Sequence, residues 1–494
     1  MIAGRLAAGV PADAADPTRP RADAGFSIVL AVGAILVLLT LGLGLVSIVV
    51  EDSDLSVNHV RSNQAFYAAH AGVEYAVLKL SANPSWGGLA SPGKTVGMGS
   101  FWVAPPDAVD EKGNALPAGQ LRVVATGIVG DAKRAIEVHV APGMITTYAG
   151  NGTLGYSGDG GAATAARLKN PEGVAIAPNG DLYIADTDNH VIRRVSFVTG
   201  VISTVAGTGN PGYSGDGGAA TAAKLSFPED VAVLANGDLY IADTSNHAIR
   251  KVIAASGTIT TVAGTGNPGS SGDGGAATAA KLNSPRGIAV AANGDIYIGD
   301  RSNHKIRRVI ALTGLIATFA GTGTQGYTGD GGPALLARLR TPQGIHLHTN
   351  GDIYLADAGN NVIRKIAALT GIITTVAGTG VVGYTGNGGP ATAATLDGPE
   401  AVHLAPSGDV YIADTGNHVI RRVQAGSGII TTIAGTGAAG FAGDGGSATA
   451  AQFNRPRGIA IASTGTYYIG DKNNHRIRKV TGALSVVAWV ETRS

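Results

Sequence analysis

The stretch ADTDNHVIRRV at residues 185–195 decides the fold, because it returns along the chain at a fixed period. Related strings begin at 242, 299, 356, 413 and 470, so each copy starts 57 residues after the previous one. An active site needs one set of Asp, His and Arg, whereas a repeat fold needs them in every unit. The recurrence therefore predicts architecture and not catalysis.

Each repeat carries the pattern of four short antiparallel strands. In the first copy these are PEGVAIAPNG, DLYIAD, HVIRRVSF and VISTVAGTG, and Asn179–Gly180 predicts a type I′ turn after the first strand. Six such units predict a mainly β protein with a six-bladed β-propeller over residues 144–494. The DxxNHxIR pattern resembles that of NHL-repeat propellers. Segments like the fourth strand occur seven times, and we expect the first, at 145–150, to complete the last blade.

The repeated polar residues are expected to tie strand ends together. Asp186, Asn189 and His190 would satisfy turn backbone groups, and Arg193 would pair with a carboxylate. Asn361 replaces the His in the fourth repeat, which a hydrogen bond tolerates and proton transfer does not. A second repeated string, GYSGDGGAATAARL at 155–168, predicts a loop leading into a short helix capped at its acidic residue. A calcium loop is the alternative, although the DxDxDG spacing is absent.

Composition excludes several function classes. Lys plus Arg number 36 and Asp plus Glu 35, so no excess of charge predicts a nucleic-acid partner. The chain has no cysteine, which excludes disulfides, thiol catalysis and cysteine metal sites.

Residues 26–50 contain no charge and as a helix would span a bilayer of about 30 Å. Arg5, Arg19 and Arg21 precede this run, so we expect the leader to lie in the cytoplasm and the remainder to be exported. The segment at 64–81 places apolar residues on one helix face, and 121–129 and 134–140 alternate as strands of a small antiparallel sheet do. That apolar face consists of Phe66, Ala69, Val73, Val77 and Leu80.

Two strings in this region, AGFSIVLAVGAILVLL and QAFYAAHAGVEYAVLKLS, resemble type IV pilins and in particular PilX-type minor pilins. The resemblance implies that a prepilin peptidase cuts between Gly25 and Phe26 and that Phe26 is then methylated. It implies partners, namely other pilins bound through the N-terminal helix, and a location in the bacterial inner membrane and then in a pilus at the cell surface. Pilins usually carry Glu at the fifth mature position, and Leu30 stands there, which suits a subunit at the filament tip. The implied divisions are a leader at 1–25, a transmembrane and pilin helix at 26–82, and a small sheet at 83–143.

Candidate binding residues are sought where the repeats differ. The residue after the Pro that opens each first strand varies, and we expect these positions to ring the channel mouth and bind a ligand or partner; solvated strand starts are the alternative. They are Glu172, Glu229, Arg286, Gln343, Glu400 and Arg457. His346 and His403 replace an Ala found in the other four repeats, and with His348 they form a second candidate that binds a ligand or a metal, against the alternative of histidines satisfied in the core. No catalytic group, metal site or cofactor is predicted.

The sequence thus predicts a minor pilin or pseudopilin that displays a propeller as a binding or adhesion module for an extracellular protein or glycan. Two alternatives stay open. One is a surface-tethered propeller enzyme resembling lactonases or lyases, and the other is a membrane-anchored scaffold unrelated to pili.

Overall fold

The computed structural model describes residues 64–69, 71–73, 76, 88–96, 99–106, 121–129, 132–141, 143–481 and 485–492. Within these residues no helix has the length and apolar character that crossing a membrane requires. The predicted membrane segment 26–50, the cleavage site at Gly25 and Phe26, and Leu30 lie outside them.

Five strands precede the first complete blade. They are β1 (Leu89–Val96), β2 (Gly99–Val103), β3 (Leu121–Val129), β4 (Ala132–Ala141) and β5 (Ile145–Ala149). The first four form one antiparallel sheet, in which β3 and β4 pair along their whole length.

Residues 64–69, 71–73 and 76 are helical and pack on this sheet. The contact is close because small residues meet there: a Cβ on Gly127 of β3 would lie 2.1 Å from the carbonyl oxygen of Ala65. The predicted apolar face is confirmed at Ala69 and Val73, which are buried, whereas Phe66 is half-buried. Val77 and Leu80 lie outside the described residues.

Six four-stranded antiparallel sheets follow the predicted period and form the blades. Blade 1 has β6 (Pro171–Ile176), β7 (Leu182–Asp186), β8 (Val191–Val195) and β9 (Ile202–Ala206). Blade 2 has β10 (Pro228–Val233), β11 (Leu239–Asp243), β12 (Ala248–Ile253) and β13 (Thr258–Ala263). Blade 3 has β14 (Pro285–Val290), β15 (Ile296–Asp300), β16 (Lys305–Ile310) and β17 (Leu315–Ala320). Blade 4 has β18 (Pro342–Leu347), β19 (Ile353–Asp357), β20 (Val362–Ile366) and β21 (Ile373–Ala377). Blade 5 has β22 (Ala401–Leu404), β23 (Val410–Asp414), β24 (Val419–Val423) and β25 (Ile430–Ala434). Blade 6 has β26 (Pro456–Ile461), β27 (Tyr467–Asp471), β28 (Arg476–Val480) and, from the N-terminal side, β5.

The ring closes as the sequence predicts. Strand β5 pairs antiparallel with β28, with Ile145 opposite Val480, so the last blade takes its fourth strand from the start of the repeat region. The C-terminal strand β29 (Ser485–Thr492) differs from the predicted domain boundary, because it pairs with β4 in the small sheet and not with a blade. Both edges that would otherwise carry unpaired backbone groups are covered in this way.

The core lies between neighbouring blades. Apolar side chains of one blade pack on those of the next, as Ile192 of blade 1 does in a cluster with Leu239 and Ile241 of blade 2. The first strand of every blade contacts the first strands of both neighbours, so these six strands surround the central channel. The repeat architecture therefore brings equivalent first-strand residues together at the axis.

Two turn predictions need correction. Gly180 has φ +87°, but Asn179 does not have positive φ, so the turn after the first strand is not type I′. The Gly180 amide donates to the Ala177 carbonyl (2.8 Å), which is the geometry of a type I turn followed by a left-handed residue. The acidic loop leads into a 3₁₀ turn at Ala163–Ala165 that has no side-chain cap. The prediction that the acidic residue of this loop, Asp159, caps a helix was therefore wrong.

Each blade carries two such 3₁₀ turns. Those between second and third strands are Thr187–Asn189, Thr244–Asn246, Arg301–Asn303, Ala358–Asn360, Thr415–Asn417 and Lys472–Asn474. Those before the first strands are Ala163–Ala165, Ala220–Ala222, Ala277–Ala279, Ala334–Leu336, Ala391–Ala393 and Ala448–Ala450.

Candidate functional site at the channel mouth

The repeated Asp and Arg form a buried structural network. Arg193 is fully buried; its Nη1 lies 3.3 Å from Asp186 Oδ2 and its Nη2 lies 2.6 Å from Asp159 Oδ1. Asn189 donates to the same Asp186 oxygen (2.8 Å), and the Lys169 amide donates to the other (2.7 Å). The Asp186 carboxylate and the two terminal nitrogens of Arg193 are thus used in holding the blade together.

The repeated His links one blade to the next. His190 Nδ1 accepts the amide hydrogen of Phe227 in blade 2 (3.1 Å), and burial lowers the pKa of His190, which keeps this nitrogen free to accept. In blade 4 the carboxamide Oδ1 of Asn361 accepts the Gly398 amide in the same way (2.9 Å). The geometry agrees with the architectural role predicted for this residue.

The six variable residues after the opening prolines converge at one end of the channel. They line a recess of about 50 Å³ together with the residues that follow them on each first strand. Glu172 and Gln343 are buried, and the other four are half-buried. The sequence predicted this convergence, but it did not predict how closely the charges pair.

We call these six residues the mouth cluster, and its charged members form ion pairs across the channel. Arg457 lies 2.5 Å from Glu172 and 2.5 Å from Glu400, and Arg286 pairs with Glu229. Arg286 Nη1 also lies 3.6 Å from Glu400, and it donates to Gln343 Oε1 (2.8 Å). The mouth cluster therefore spans all six blades and closes this end of the channel with polar groups.

The pairing sets the protonation of the cluster. Although burial opposes it, Arg457 and Arg286 lower the pKa of Glu172. Burial and the charge of Glu172 raise the pKa of Glu229 to about 7. One carboxylate of the cluster is thus ready to take a proton near neutral pH, while its neighbour stays ionised.

A second cavity, of about 260 Å³, lies in the channel beyond the mouth cluster. Apolar residues of the first strands line most of it, and His346 and His403 contribute its polar wall with ring centroids 4.2 Å apart. Burial and the neighbouring His403 lower the pKa of His346 to about 2, and burial lowers that of His403 to about 4. Both rings are neutral at neutral pH, and His403 Nδ1 is buried without a hydrogen bond of normal geometry.

His348 does not line this cavity; its Nδ1 lies 2.8 Å from Asn350 Oδ1 in the following turn. Within the described part of the chain, no group of three His, Asp or Glu side chains is arranged to hold a metal ion. The two channel histidines line the cavity, and in those residues they do not belong to a three-ligand metal group.

Sequence reasoning missed Asp230, which lines both the recess and the cavity. Its Oδ2 accepts the Ile288 amide (3.1 Å), and its Oδ1 accepts the Val231 amide (2.9 Å). Burial raises its pKa to about 7 against these two bonds. The sequence did mark this residue as a departure from the repeat, because four repeats have Gly at the equivalent position and one has Ala.

Sequence reasoning also missed two cations, Arg301 and Lys472. They stand where three repeats have a Thr whose hydroxyl donates to the Pro carbonyl of the next blade, as Thr187 does to Pro228 (2.9 Å). Lys472 instead lies 3.0 Å from Glu172 of the next blade. These two cations extend the mouth cluster outward.

Comparisons with known proteins agree with this architecture. A family model described as the teneurin NHL domain matches residues 131–212, 266–326 and 322–385, and one described as the NHL repeat matches 225–252 and 453–480. Among curated relatives, protein SUPPRESSOR OF QUENCHING 1 of Arabidopsis thaliana is 30% identical over 63% of this chain and 30% of its own length. NHL repeat-containing protein 2 of Homo sapiens is 28% identical over 60% of this chain and 44% of its own length. The chain thus spans less than half the length of these relatives.

Solved structures share the fold at low identity. A protein of unknown function from Bacteroides thetaiotaomicron aligns with TM-score 0.52 and 19% identity over 77% of this chain and 88% of its own. An auxiliary nutrient binding protein from Bacteroides ovatus aligns with TM-score 0.51 and 19% identity over 82% of this chain and 99% of its own. The chain therefore contains NHL repeats that fold as a β-propeller.

Proposed function

We propose that this chain is an exported, minor-pilin-like protein that binds an extracellular protein or glycan through the channel mouth of its propeller. One observation carries the binding role. The repeats share most of their residues and differ at the positions after the opening prolines, and those positions form one cluster around one recess. Binding surfaces are expected where a rigid scaffold is held constant and its presented side chains vary.

Pairing within the mouth cluster favours recognition over catalysis. Glu172, Glu229 and Glu400 each lie beside an arginine, so each carboxylate is engaged in an ion pair within the cluster. A paired, preorganised cluster is suited to recognising a partner of complementary charge, because its side chains lose little rotational freedom on binding.

The pilin part of this proposal is supported by the sequence. The uncharged run at 26–50, the Gly25–Phe26 junction and the string at 64–81 occur together and in the order found in minor pilins. Leu30 and the width of a propeller of about 350 residues, roughly 50 Å, both favour a place at the filament tip, because a subunit this broad would exclude neighbours along a shaft.

Two measurements test the proposal. Mass spectrometry of the mature N-terminus should find methylated Phe26, and immunogold labelling of filaments should find particles at their ends. A chain that keeps residues 1–25 in cells with an active prepilin peptidase, or labelling spread along the shaft, would contradict the pilin role.

The binding role needs a variant that keeps the mouth folded. Replacing all five charged members of the mouth cluster by Gln, the residue blade 4 already carries, and Lys472 by Thr, the residue of three other blades, removes the paired charges together. We expect this variant to lose attachment of the producing cells to surfaces and to one another. A matched control replaces the exposed Val198, Leu312 and Leu369, which lie outside the recess, by Ala. Equal attachment by both variants would exclude the mouth as the binding surface.

A propeller enzyme is the second candidate, and the channel cavity is what favours it. His403 Nδ1 has no partner of normal geometry, and Asp230 has a pKa of about 7, so an acceptor and a titrating carboxyl reach the same cavity. Hydrolysis of a small lactone that is lost in His403→Ala, with attachment unchanged in the Gln variant, would favour this function.

A further inference from the structure

The mouth cluster has an approximate two-fold pattern around the channel. In blade order its residues are Glu, Glu, Arg, Gln, Glu and Arg, so blades 2 and 5 match and blades 3 and 6 match. Blades 1 and 4 differ, because Glu172 corresponds to Gln343. The outer cations follow the same pattern, with Arg301 in blade 3 and Lys472 in blade 6.

In the half of this pattern where blade 6 meets blade 1, both cations have a carboxylate partner. Lys472 Nζ of blade 6 lies 3.0 Å from Glu172 Oε1 of blade 1, and the other Glu172 oxygen lies 2.5 Å from Arg457. A single carboxylate thus joins the outer cation to the inner one.

In the other half the corresponding carboxylate is missing. Arg301 is the outer cation there, and the next blade contributes the uncharged Gln343. Across the described residues Arg301 has no ion-pair partner, and its Nε is buried without a hydrogen bond. The inner cation Arg286 donates to Gln343 Oε1 (2.8 Å), so the acceptor oxygen of the carboxamide is already engaged.

The uncompensated charge makes this place favourable for an anion. Burial and the nearby Arg286 lower the pKa of Arg301, and the charges of Glu229 and Glu400 offset this only in part, so its positive charge is incompletely compensated where it stands. A guanidinium offers five N–H donors in a fork that matches a carboxylate. Binding of a counter-ion to a partly buried charge that lacks one is favourable, because it offsets the cost of burying that charge. The half-buried position leaves part of Arg301 exposed to solvent.

We propose that Arg301 binds a carboxylate of the partner beside the Arg286–Gln343 pair, and that this carboxylate supplies the negative charge that Glu172 carries in the other half. This inference rests on the proposed function, because it names the chemistry that the mouth recognises. The carboxylate belongs either to an acidic side chain of a polypeptide or to a small free acid, and both present the same group to Arg301.

Calorimetric titration of the full-length chain with acetate tests the site, at neutral pH and at constant ionic strength set with chloride. We expect one site with a dissociation constant on the order of 1 mM. Gln343→Glu supplies the missing carboxylate from within, and Arg301→Thr installs the residue of three other blades; each should weaken acetate binding at least tenfold. Lys281→Thr is the control, and it should leave acetate binding unchanged because this exposed lysine does not line the recess.

A second arm separates the two sources of the carboxylate. A capped tripeptide with a central Glu is compared with the same peptide carrying Gln. Tighter binding of the Glu peptide than of acetate indicates a polypeptide partner, and equal binding indicates a small acid.

Absence of acetate binding in the wild type would refute the site, as would equal loss in Arg301→Thr and Lys281→Thr, which would indicate only general attraction between charges. These results are distinct from failure of the proposed function. If acetate binds as expected but the Gln variant of the mouth cluster attaches normally, the carboxylate site stands and the adhesive role does not.

Discussion

Replacing Asn387 by Asp should stabilise the protein, because blade 5 alone lacks an acidic residue that the other blades use. In those five blades the buried Arg lies 2.6 to 2.7 Å from the Asp of the acidic loop. In blade 5, Arg421 Nη2 donates to Asn387 Oδ1 at 3.0 Å, and its second carboxylate, on Asp414, is 3.7 Å away. Burial lowers the pKa of Arg421, so its charge is less well compensated than its fully buried position requires.

The expected gain follows from the kind of hydrogen bond that changes. Arg421 is charged, so its bond to the neutral Asn387 carboxamide is already charge-assisted, and a carboxylate at this position adds an ion pair that contributes about 1 kcal/mol more. The equivalent Asp159 side chain is 43% exposed, and solvent screening reduces the gain to about 0.5–1 kcal/mol. The new carboxylate would also find a hydrogen-bond donor, because Thr432 can donate to it as Thr318 donates to Asp273 (2.6 Å).

Urea unfolding of the full chain measures the change, since urea leaves ionic interactions unscreened. Asp159→Asn is the matched reverse variant and should lose a similar amount. Both changes should shrink in about 1 M salt, where charges are screened within about 3 Å. If Asn387→Asp is neutral or destabilising while Asp159→Asn destabilises, the loop carboxylate does not stabilise the blade through its charge.

Three further predictions concern strain, proton uptake and ring closure. Thr341 is β-branched and has φ +48°, so Thr341→Gly should raise the free energy of unfolding by about 1 kcal/mol; a decrease would mean that its side chain makes a needed contact. Burial raises the pKa of Asp230 to about 7, above its unfolded value, so its contribution to stability is present at low pH and is lost as pH rises through 7. Wild type should therefore be more stable relative to Asp230→Asn at pH 5 than at pH 8, by at least about 1 kcal/mol in urea unfolding, and a difference independent of pH would refute the raised pKa. Ile145 is fully buried in the strand that closes the ring, so Ile145→Ala should cost about 2–5 kcal/mol; unchanged thermal unfolding would show that closure by β5 contributes little.

The blades could be predicted from the sequence because each of them repeats the same local chemistry. The strand pattern, the period and the surplus strand-like segment at 145–150 were sufficient to predict six blades and closure by β5. The position of β29 was not predicted, because its alternating pattern fits a blade as well as it fits the edge of the small sheet. Pairing choice between two open edges depends on tertiary contacts that the pattern does not contain.

The sequence predicted where the six mouth residues lie, but it did not predict the ion pairs that they form. Equivalent residues meet at the axis of a propeller, so the convergence of Glu172 with its five counterparts follows from the period alone. Which Arg pairs with which Glu depends on how closely the first strands approach. A Cβ on Gly458 would lie 2.1 Å from the Glu172 carbonyl oxygen, so glycine at this position lets neighbouring strands approach and brings Arg457 within 2.5 Å of Glu172.

Repetition also explains why function should be sought in departures from it. A residue shared by all six blades is constrained six times by the same buried contacts, as Arg193 and its counterparts are, and it cannot change without weakening a blade. The mouth positions are free of that constraint, because their partners come from other blades and no single blade depends on them. A change at one mouth position therefore alters recognition at little cost in folding, provided that its partner across the channel changes too. Gln343 does not meet this condition. It lacks the charge that Glu172 carries, and Arg301 is left without an ion pair among the described residues. An external carboxylate would supply the missing charge.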